Sequence, residues 1–353
     1  MPDGRPAPGV AVCVPARNEA ERLPRLLATL ARQEGFGPDR PLPVVVLVNN
    51  SRDGTAARVR DALPGWPSLA VEIVEADYPA ADAHVGTARR QALDIGAARL
   101  ADDPDGILLS TDADARLPPG WVAANRAALR NADMVGGHLL IDGEGEAAPD
   151  LLALHETIEL YWAAVRAIED RLDPPPHDPA PRHGDHTGAS LALRASLYRE
   201  VGGLPPLRQG EDNALVRIVR EAGGRLRHCP HVTVLVSDRP DGRAEGGMAV
   251  EMVRRAEAAR RPDGYELPAP SHWTSLVRRR ARLRAAWRDG AAEAEWLLGD
   301  LGLASSDVAR IDPAGCPNDI AFVERASGLL EARDPAPPGL PLGQALAAFG
   351  EAP

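Results

Sequence analysis

Short apolar runs alternate with longer amphipathic patterns through the first half of the chain. Val10 to Val14 is the first apolar run, and Pro15 ends it. A helical pattern from Glu19 to Arg32 follows, with leucines spaced so that one face is buried. This alternation predicts an α/β fold, in which a Rossmann-like and mostly parallel sheet carries flanking helices. The other predicted units are strands at Val44 to Val48, Val71 to Val74 and Ile107 to Ser110, and helices at Ala56 to Leu63 and Val85 to Leu100.

Polar clusters follow three of these predicted strands. Pro15 to Glu19 follows the first strand, Asn49 to Thr55 the second, and Asp112-Ala113-Asp114 the fourth. Ligands bind at the carboxyl ends of strands in open sheets of this kind, so we expect the three clusters to meet in one crevice. Two carboxylates separated by one small residue suit Mg²⁺ or Mn²⁺. Asp112 and Asp114 are therefore the predicted metal ligands, and a solvated loop is the alternative.

A second acidic pair, Glu211-Asp212, comes directly after Gly210 and begins a predicted helix that runs from Asp212 to Ala222. Carboxylates at a helix N-terminus are favoured by the helix dipole, so the pair could simply cap this helix. The alternative is catalytic, with one carboxylate deprotonating an acceptor hydroxyl.

The rest of the chain contains a predicted strand near Asp133 to Gly137, a helix at Leu151 to Arg171 and a proline-rich loop at Pro174 to Pro181. The pattern becomes mainly helical after Gly247. We therefore expect a catalytic domain at residues 1–247. A mostly helical C-terminal extension with a proline-rich tail would occupy residues 248–353.

The extension includes a basic amphipathic helix. Its apolar stripe is formed by Trp273, Leu276, Leu283 and Trp287, and arginines lie mostly elsewhere on the helix. Such a helix can lie on an anionic membrane surface. The alternative is an ordinary helix packed on the catalytic domain with its arginines in water.

Composition excludes several classes of partner and chemistry. The 353 residues carry a net charge of −11, which argues against a nucleic-acid partner. All 40 basic residues are arginine, which excludes lysine Schiff bases and Walker-type lysines. Cys13, Cys229 and Cys316 lack the spacing of a zinc site or a disulfide framework. With no apolar run of signal-peptide or bilayer-spanning length, we expect a cytoplasmic protein that could also lie peripherally at the inner face of the membrane.

An ordered series of motifs covers roughly residues 10 to 245. The series consists of Val14-Pro15-Ala16-Arg17-Asn18-Glu19, Asn50 with Asp53-Gly54-Thr55, Gly86 with Arg89, Asp112-Ala113-Asp114, Gly188-Ala189-Ser190, Gly202-Gly203 and Gly210-Glu211-Asp212. In this order the chain resembles a family 2 glycosyltransferase of the GT-A fold. The resemblance implies transfer of a sugar from a nucleotide-diphosphate donor to an acceptor hydroxyl, where the acceptor could be a glycan, a lipid or a small molecule.

The resemblance also implies roles for individual residues. Arg89 would lie near the diphosphate, and Asp112 and Asp114 would meet the ribose and the metal. Asp212 would be the general base, with Glu211 beside it in the catalytic pair. The anomeric centre would be inverted, although some GT-A enzymes retain its configuration. The residues implied to hold the nucleotide are Pro15, Ala16, Arg17, Asn18, Glu19, Asn50 and Asp53.

The chain departs from the family pattern in one turn. The family usually has two acidic residues where this chain has Asn49 and Asn50, and one more residue in that turn. An amide both donates and accepts hydrogen bonds whereas a carboxylate only accepts, so the family's common uridine preference does not carry over. The basic loop that often follows the acidic pair in the family is similar to Asp238, Arg239, Arg243 and Gly246-Gly247.

Several alternatives stay open at the level of sequence. A sugar-phosphate nucleotidyltransferase shares the architecture but usually has a Gly-rich first loop with a basic residue. A non-catalytic nucleotide-sugar-binding protein would be expected to lose the acidic pairs. One histidine could complete the metal site, with His186 and His231 as the leading candidates beside His183 and His228. The alternative is that each of these histidines is a solvated loop residue.

Overall fold

The computed structural model describes residues 9–141, 149–236, 248–261 and 264–351. Contacts divide the chain into two compact units. The first comprises Met1–Gly145, Pro181–Val216 and Leu226–Ala249, and the second comprises Glu146–Ala180, Arg217–Arg225 and Val250–Pro353.

The second unit differs in extent from the predicted C-terminal extension. It also takes in residues 146–180 and 217–225, which the sequence analysis assigned to the catalytic domain. The long helix at Pro149–Leu172 packs on the helix at Pro270–Asp289, a contact between distant segments that local sequence patterns do not reveal. The predicted boundary at residue 247 and the predicted basic loop at 238–247 lie outside the described residues.

A seven-stranded sheet forms the centre of the first unit, in the order β3-β2-β1-β4-β6-β5-β7. β1, β2, β3 and β4 are mutually parallel where they pair, β5 is parallel to β7, and β6 runs antiparallel to β4 and β5. The predicted α/β class with a mostly parallel sheet is confirmed. The strands are β1 (Val10–Ala16), β2 (Leu42–Asn49), β3 (Leu69–Ala76), β4 (Ile107–Ser110), β5 (Met134–Ile141), β6 (Leu191–Arg194) and β7 (Leu226–Val236).

Helices account for most of the remaining regular structure. α1 buries Leu23, Leu26, Leu27 and Leu30, the leucine stripe predicted for the first helix. In chain order the helices are α1 (Leu23–Leu30), α2 (Thr55–Ala62), α3 (Val85–Arg99), α4 (Trp121–Ala128), α5 (Pro149–Leu172), α6 (Ala195–Glu200), α7 (Glu211–Glu221), α8 (Met248–Ala259), α9 (Pro270–Asp289), α10 (Ala291–Asp300), α11 (Ser305–Ile311), α12 (Asp319–Arg333) and α13 (Leu342–Glu351). Two short strands, β8 (Glu266–Leu267) and β9 (Leu340–Pro341), pair in the second unit.

The carboxyl ends of β1, β2 and β4 lie side by side. In the sheet register Ala16 is beside Val48, and Cys13 is beside Ser110, the last residue of β4. Every residue of β1 and β4 is buried, as expected for parallel strands covered on both faces. Because these strands run in the same direction, the loops that leave them emerge together at one edge of the sheet.

The apolar stripe of α9 is internal to the second unit. Leu283 and Trp287 pack into a core that includes Phe322, and Trp273 packs into a second core that includes Tyr161. Burying apolar area against protein is the ordinary use of such a stripe.

The arginines of α9 are used inside the unit as well. Arg284 forms ion pairs with Asp173 (3.0 Å) and Asp319 (3.1 Å), and Arg280 pairs with Glu331 (3.1 Å). These two arginines therefore pair with carboxylates, whereas the sequence analysis placed the arginines of a packed helix in water. Contact of this helix with a membrane surface stays a prediction. Among the described helices, none has the length and apolar character needed to cross a membrane.

Candidate active site

The loops that follow β1 and β2 are joined by four hydrogen bonds. In each bond a backbone N–H of one loop donates to a side-chain oxygen of the other. Asn18 adopts a φ of +52°, a left-handed conformation that asparagine tolerates better than most residues. The two loops therefore form one structure. The donor and acceptor pairs are Asn18 N with Ser51 Oγ (2.9 Å), Arg52 N with Asn18 Oδ1 (2.8 Å), Glu19 N with Thr55 Oγ1 (2.9 Å) and Ala20 N with Asp53 Oδ2 (3.0 Å).

Asp53 lies two residues before the start of α2. Its Oδ1 accepts a hydrogen bond from the backbone N–H of Thr55 (3.0 Å). Burial would raise the pKa of Asp53, but hydrogen bonds from Thr55 and Ala20 outweigh it and hold that pKa below its ordinary value. Asp53 therefore stabilises the predicted nucleotide loop through hydrogen bonds inside the protein.

Asn50 holds the end of β2 against Tyr78, the second residue after β3. Its φ is +48°, its Nδ2 donates to the Tyr78 carbonyl (2.9 Å) and its Oδ1 accepts from the Tyr78 N–H (3.2 Å). A carboxylate could accept one of these bonds but could not donate the other. The departure from the family pattern at this position thus has a structural use.

The other predicted nucleotide residues lie where β1 ends. Pro15 and Ala16 are buried in the strand, and Arg17 is exposed at the start of the loop. Arg17 Nη1 donates to the Ala83 carbonyl (2.9 Å) just before α3. The loop is thereby tied to a neighbouring segment at the same edge of the sheet.

Asp112 and Asp114 follow β4, as predicted. The side chain of Asp112 is 38% exposed, so one carboxylate is open to a ligand. Burial, with the nearby carboxylates of Asp112 and Glu19, raises the pKa of Asp114 to about 6. Three carboxylates therefore share one negative region. Within the described parts of the chain no group of three or more His, Cys, Asp or Glu side chains has the geometry of a complete metal site.

Arg89 lies between the two acidic clusters and is almost completely buried. Its Nε donates to Glu211 Oε1 (3.1 Å) and its Nη2 to Asp112 Oδ1 (2.7 Å). Its Nη1 donates both to Ser110 Oγ (2.8 Å) and to the Gly188 carbonyl (2.8 Å). Four of the five guanidinium N–H groups are therefore bonded to protein.

The electrostatics of this cluster are strongly coupled. Burial would lower the pKa of Arg89, but the charges of Asp112 and Glu211 outweigh it and raise that pKa above its ordinary value. Burial raises the pKa of Glu211, and the Arg89 charge opposes that rise. Arg89 therefore stays charged, and its charge favours the ionised form of the buried Glu211.

Glu211 and Asp212 begin α7, and the structure gives them different surroundings. Glu211 is buried and turned towards Arg89. Asp212 is partly exposed, and its Oδ2 accepts from the Gly188 N–H (2.9 Å) while its Oδ1 accepts from the Asn213 N–H (2.8 Å). Of the two predicted catalytic residues, Asp212 is the one with access to solvent.

Gly188 connects Arg89 with Asp212 through its backbone. Its carbonyl accepts from Arg89 and its N–H donates to Asp212. A Cβ at this position would lie 2.3 Å from Arg89 Cζ, closer than atoms can approach without rearrangement. Glycine is therefore required for the arginine to reach its partners.

Two of the histidines, His183 and His186, lie between the proline-rich loop and Gly188, and His228 and His231 lie on β7. His186 Nδ1 and His228 Nε2 are 3.0 Å apart in one hydrogen bond. His183 is buried, bonds through Nε2 to the Cys229 carbonyl (3.2 Å) and stacks on His138. His231 is exposed. The structure thus brings His186 into a histidine cluster, and the metal-ligand role of His186 or His231 stays a prediction.

A family model described as glycosyltransferase-like family 2 matches residues 7–283. The chain belongs to this family. The family resemblance seen in the motifs is confirmed, because the match covers most of the chain. All three cysteines are buried free thiols.

Several solved structures and one curated protein are similar to this chain. Mannosyltransferase PcManGT from Pyrobaculum calidifontis, in complex with GDP-Man and Mn²⁺, is 22% identical with a TM-score of 0.47, over 95% of this chain and 89% of that one. S. aureus TarS 1–349, in complex with UDP-GlcNAc, is 14% identical with a TM-score of 0.47, over 92% and 91%. Urease accessory protein UreD 1 of Saccharopolyspora erythraea is 45% identical over 73 residues, which are 21% of this chain and 28% of that protein. The chain thus spans little more than a quarter of the length of that curated relative.

Two members of the site in this family 2 glycosyltransferase were not among the predicted site residues. Ser110 accepts from Arg89, and the only sequence signal is a polar residue at the end of an apolar strand. The backbone of Gly188 joins Arg89 and Asp212, and its signal is the Gly188-Ala189-Ser190 motif, which carried no assigned role.

Proposed function

We propose that this chain is a cation-dependent glycosyltransferase that moves a sugar from a nucleoside-diphosphate sugar to an acceptor hydroxyl. The convergence of two acidic clusters on Arg89, beside the carboxyl ends of the sheet, carries the proposal. Membership in the glycosyltransferase family indicates the reaction class. The argument for each part of the reaction rests on a different group of residues.

Asp112 and Asp114 fit a magnesium or manganese ion. Mg²⁺ commonly takes one or two carboxylates and completes its coordination with water and substrate phosphates. Burial raises the pKa of Asp114, and the neighbouring carboxylates of Asp112 and Glu19 raise it further; a bound cation would relieve the repulsion among them. When bound, the cation would stabilise the negative charge that develops on the departing diphosphate.

The joined loops after β1 and β2 would hold the nucleotide. The hydrogen bonds of Asn18, Glu19 and Asp53 join the two loops, which supports a preformed binding surface. Preformed sites lose less conformational entropy on binding. With an amide at Asn50, this surface lacks a carboxylate that the family usually offers.

Asp212 would be the general base. The two backbone N–H groups that it accepts from fix the orientation of its carboxylate, and each oxygen keeps a second lone pair for a proton. In the proposed step the bond between C1 of the sugar and the diphosphate oxygen breaks, and its electron pair leaves with the diphosphate. The acceptor oxygen forms the new bond to C1, and its proton moves to Asp212. Attack from the face opposite the diphosphate inverts the anomeric centre.

The test is a donor panel with a readout of the nucleotide product. Purified protein with Mn²⁺ and UDP, GDP, ADP or dTDP sugars should release the matching nucleoside diphosphate. A donor present at a hundred times its Kd should also stabilise the fold by about 2.7 kcal/mol in thermal unfolding. Asp212→Asn should bind the same donor without releasing product.

The rival functions give different products. A nucleotidyltransferase would release pyrophosphate from a nucleoside triphosphate and a sugar phosphate. A non-catalytic binding protein would show donor-induced stabilisation with no release above the Asp212→Asn control for any donor. Either result would contradict the proposal.

A further inference from the structure

Arg89 contacts both acidic clusters from a position with almost no access to solvent. Its side chain is 4% exposed, and all three of its nitrogens donate to protein acceptors. A diphosphate group could take several of these donors only if Asp112, Glu211 or Gly188 gave them up. The observed contacts therefore favour a role inside the protein over a role as a phosphate ligand.

The same contacts link the two sides of the site. Asp112 accepts directly from Arg89 on the side proposed to bind the cation. On the opposite side Glu211 accepts directly, and Asp212 is reached through the backbone of Gly188. A movement of the guanidinium would thus change the position of carboxylates in both clusters.

Planar geometry explains why arginine suits this position. A guanidinium presents five N–H groups in a fixed plane, whereas a lysine ammonium presents three on one atom. Four acceptors, on β4, on α7 and in the loops beside them, are satisfied here at distances between 2.7 and 3.1 Å. A lysine could supply the charge but could not reach all four acceptors.

We propose that Arg89 is a positioning residue that couples Asp112 to Glu211 and Asp212, and that it is not a ligand of the donor diphosphate. The expected effect of Arg89 on kcat rests on the proposed function. Its expected effect on Mn²⁺ affinity does not, because that affinity can be measured with Mn²⁺ alone. If the Arg89 variants lose Mn²⁺ affinity but the wild-type protein transfers no sugar, the proposed function is contradicted and the positioning role is supported.

Removing Arg89 has opposite consequences under the two explanations of its role. If the arginine acts only as a nearby positive charge, Arg89→Met should strengthen Mn²⁺ binding, because a repulsive charge is gone. If it positions Asp112, the same change should weaken Mn²⁺ binding. The expected loss is roughly 10- to 100-fold in Mn²⁺ affinity, the scale of one hydrogen bond between charged groups.

The first experiment is calorimetric titration of Mn²⁺, alone and then with UDP or GDP, into wild type, Arg89→Met and Arg89→Lys. Arg99→Met is the matched control, because Arg99 lies on the same helix in an exposed ion pair with Glu72. We expect both Arg89 variants to bind Mn²⁺ more weakly and the control to match wild type. Unchanged or stronger binding in Arg89→Met, or wild-type binding in Arg89→Lys, would overturn the positioning role.

A double-mutant cycle separates positioning from direct contact with the diphosphate. The affinity of Mn²⁺ with the nucleoside diphosphate is measured for Asp112→Asn, Arg89→Met and the double variant. A positioning residue acts through Asp112, so adding Arg89→Met to Asp112→Asn should change affinity by less than about twofold. Fully additive losses would identify a direct phosphate ligand and contradict the proposal.

Arg89→Met leaves Glu211 buried without its partner, which could unfold the protein. The variant Arg89→Met with Glu211→Gln removes both charges and keeps an amide of similar size. We expect this double variant to fold, as judged by circular dichroism and cooperative thermal unfolding, and to retain the loss of Mn²⁺ affinity. Recovery of wild-type affinity in the double variant would overturn the proposal, because the loss would then come from Glu211.

The catalytic consequence is a separate readout. Glu211→Gln keeps the shape of the contact to Arg89 and leaves Asp112 unchanged. We expect it to lower kcat with little change in the donor KM, because it disturbs the acceptor side of the coupled site. An unchanged kcat would contradict the coupling to that side.

Discussion

The two ends of the segment 183–188 are held by different chemistry. At its first end, imidazole rings provide most of the contacts, since His183 stacks on His138 and His186 bonds to His228. At its last end, Gly188 sits between a buried guanidinium and the carboxylate of Asp212. One short segment thus joins a histidine cluster to an ionic cluster.

The difference predicts unequal consequences of mutation. Losing one partner of a buried ion pair costs about 3–5 kcal/mol, because the other charge stays buried without compensation. Losing a hydrogen bond between two imidazoles costs about 1 kcal/mol. Substitutions at the ionic end, which is Gly188 with Arg89 and Asp212, should therefore be strongly destabilising. The histidine end, which is His183 and His186 with their ring contacts, should mainly hold the segment in place.

The largest effect is expected from Asp212→Asn. The amide keeps the shape of the side chain and its acceptor oxygen for one backbone N–H, but it cannot take a proton at neutral pH. Turnover should fall by roughly 10²- to 10⁴-fold while donor affinity stays close to wild type, and the loss of one acceptor should lower the unfolding free energy by about 1 kcal/mol. If Asp212 only caps α7, the variant would show the loss of stability but keep its turnover. Melting temperature, donor affinity and turnover measured on one preparation decide between these results.

Gly188→Ala tests how closely the segment must approach Arg89. The added Cβ would lie 2.3 Å from Arg89 Cζ, so either the guanidinium or the segment must move. We expect a loss of roughly 1–3 kcal/mol in unfolding free energy, the usual range for overpacking a close-packed site. Gly299→Ala is a suitable control, because nothing lies within 4 Å of a Cβ there. Equal stabilities of the two variants in urea would show that the ionic end is not tightly packed.

Asp114 is a carboxylate of this region whose negative charge is not balanced by a hydrogen bond from Arg89. It is absent from the four hydrogen bonds of Arg89, and its pKa is raised from 3.8 to about 6. A carboxyl whose pKa is higher in the folded state is destabilising when ionised, and this penalty is absent below about pH 4 and complete above about pH 6. Asp114→Asn should therefore stabilise the cation-free protein at pH 8 relative to pH 4, by up to about 3 kcal/mol.

Chemical denaturation in EDTA at both pH values measures this difference. Adding Mn²⁺ at pH 8 should stabilise the wild-type protein. It should leave the stability of Asp114→Asn nearly unchanged, because binding of the cation requires the carboxylate. A pH-independent difference between the two proteins would show that Asp114 titrates normally.

Much of the fold followed from local patterns in the sequence. The strands that carry the site appeared as apolar runs, and Asp112 follows β4 as expected because parallel strands align their carboxyl ends. The burial of Arg89 could not be predicted in this way. Its partners lie between 21 and 122 residues away along the chain, and an arginine three residues after Gly86 in a helix gives no local sign of burial.

The histidine cluster was also beyond sequence reasoning, for a related reason. His186 and His228 are 42 residues apart, and they meet because the segment before β6 packs beside β7. The residues next to each of these histidines in the sequence predicted a loop histidine with no histidine partner. Only the sheet order, with β6 and β7 on either side of β5, brings the two segments together.

The smallest effect is expected at the histidine end. His228→Ala removes the partner of His186, so unfolding free energy should fall by about 1 kcal/mol and turnover by less than about tenfold. His231→Ala is the matched control, because His231 lies on the same strand and is exposed. If the cluster only anchors the segment, Mn²⁺ affinity should be the same in wild type and both variants. A large loss of Mn²⁺ affinity in His228→Ala alone would show that the histidine end also supports the cation site, and the distinction between the two ends would fail.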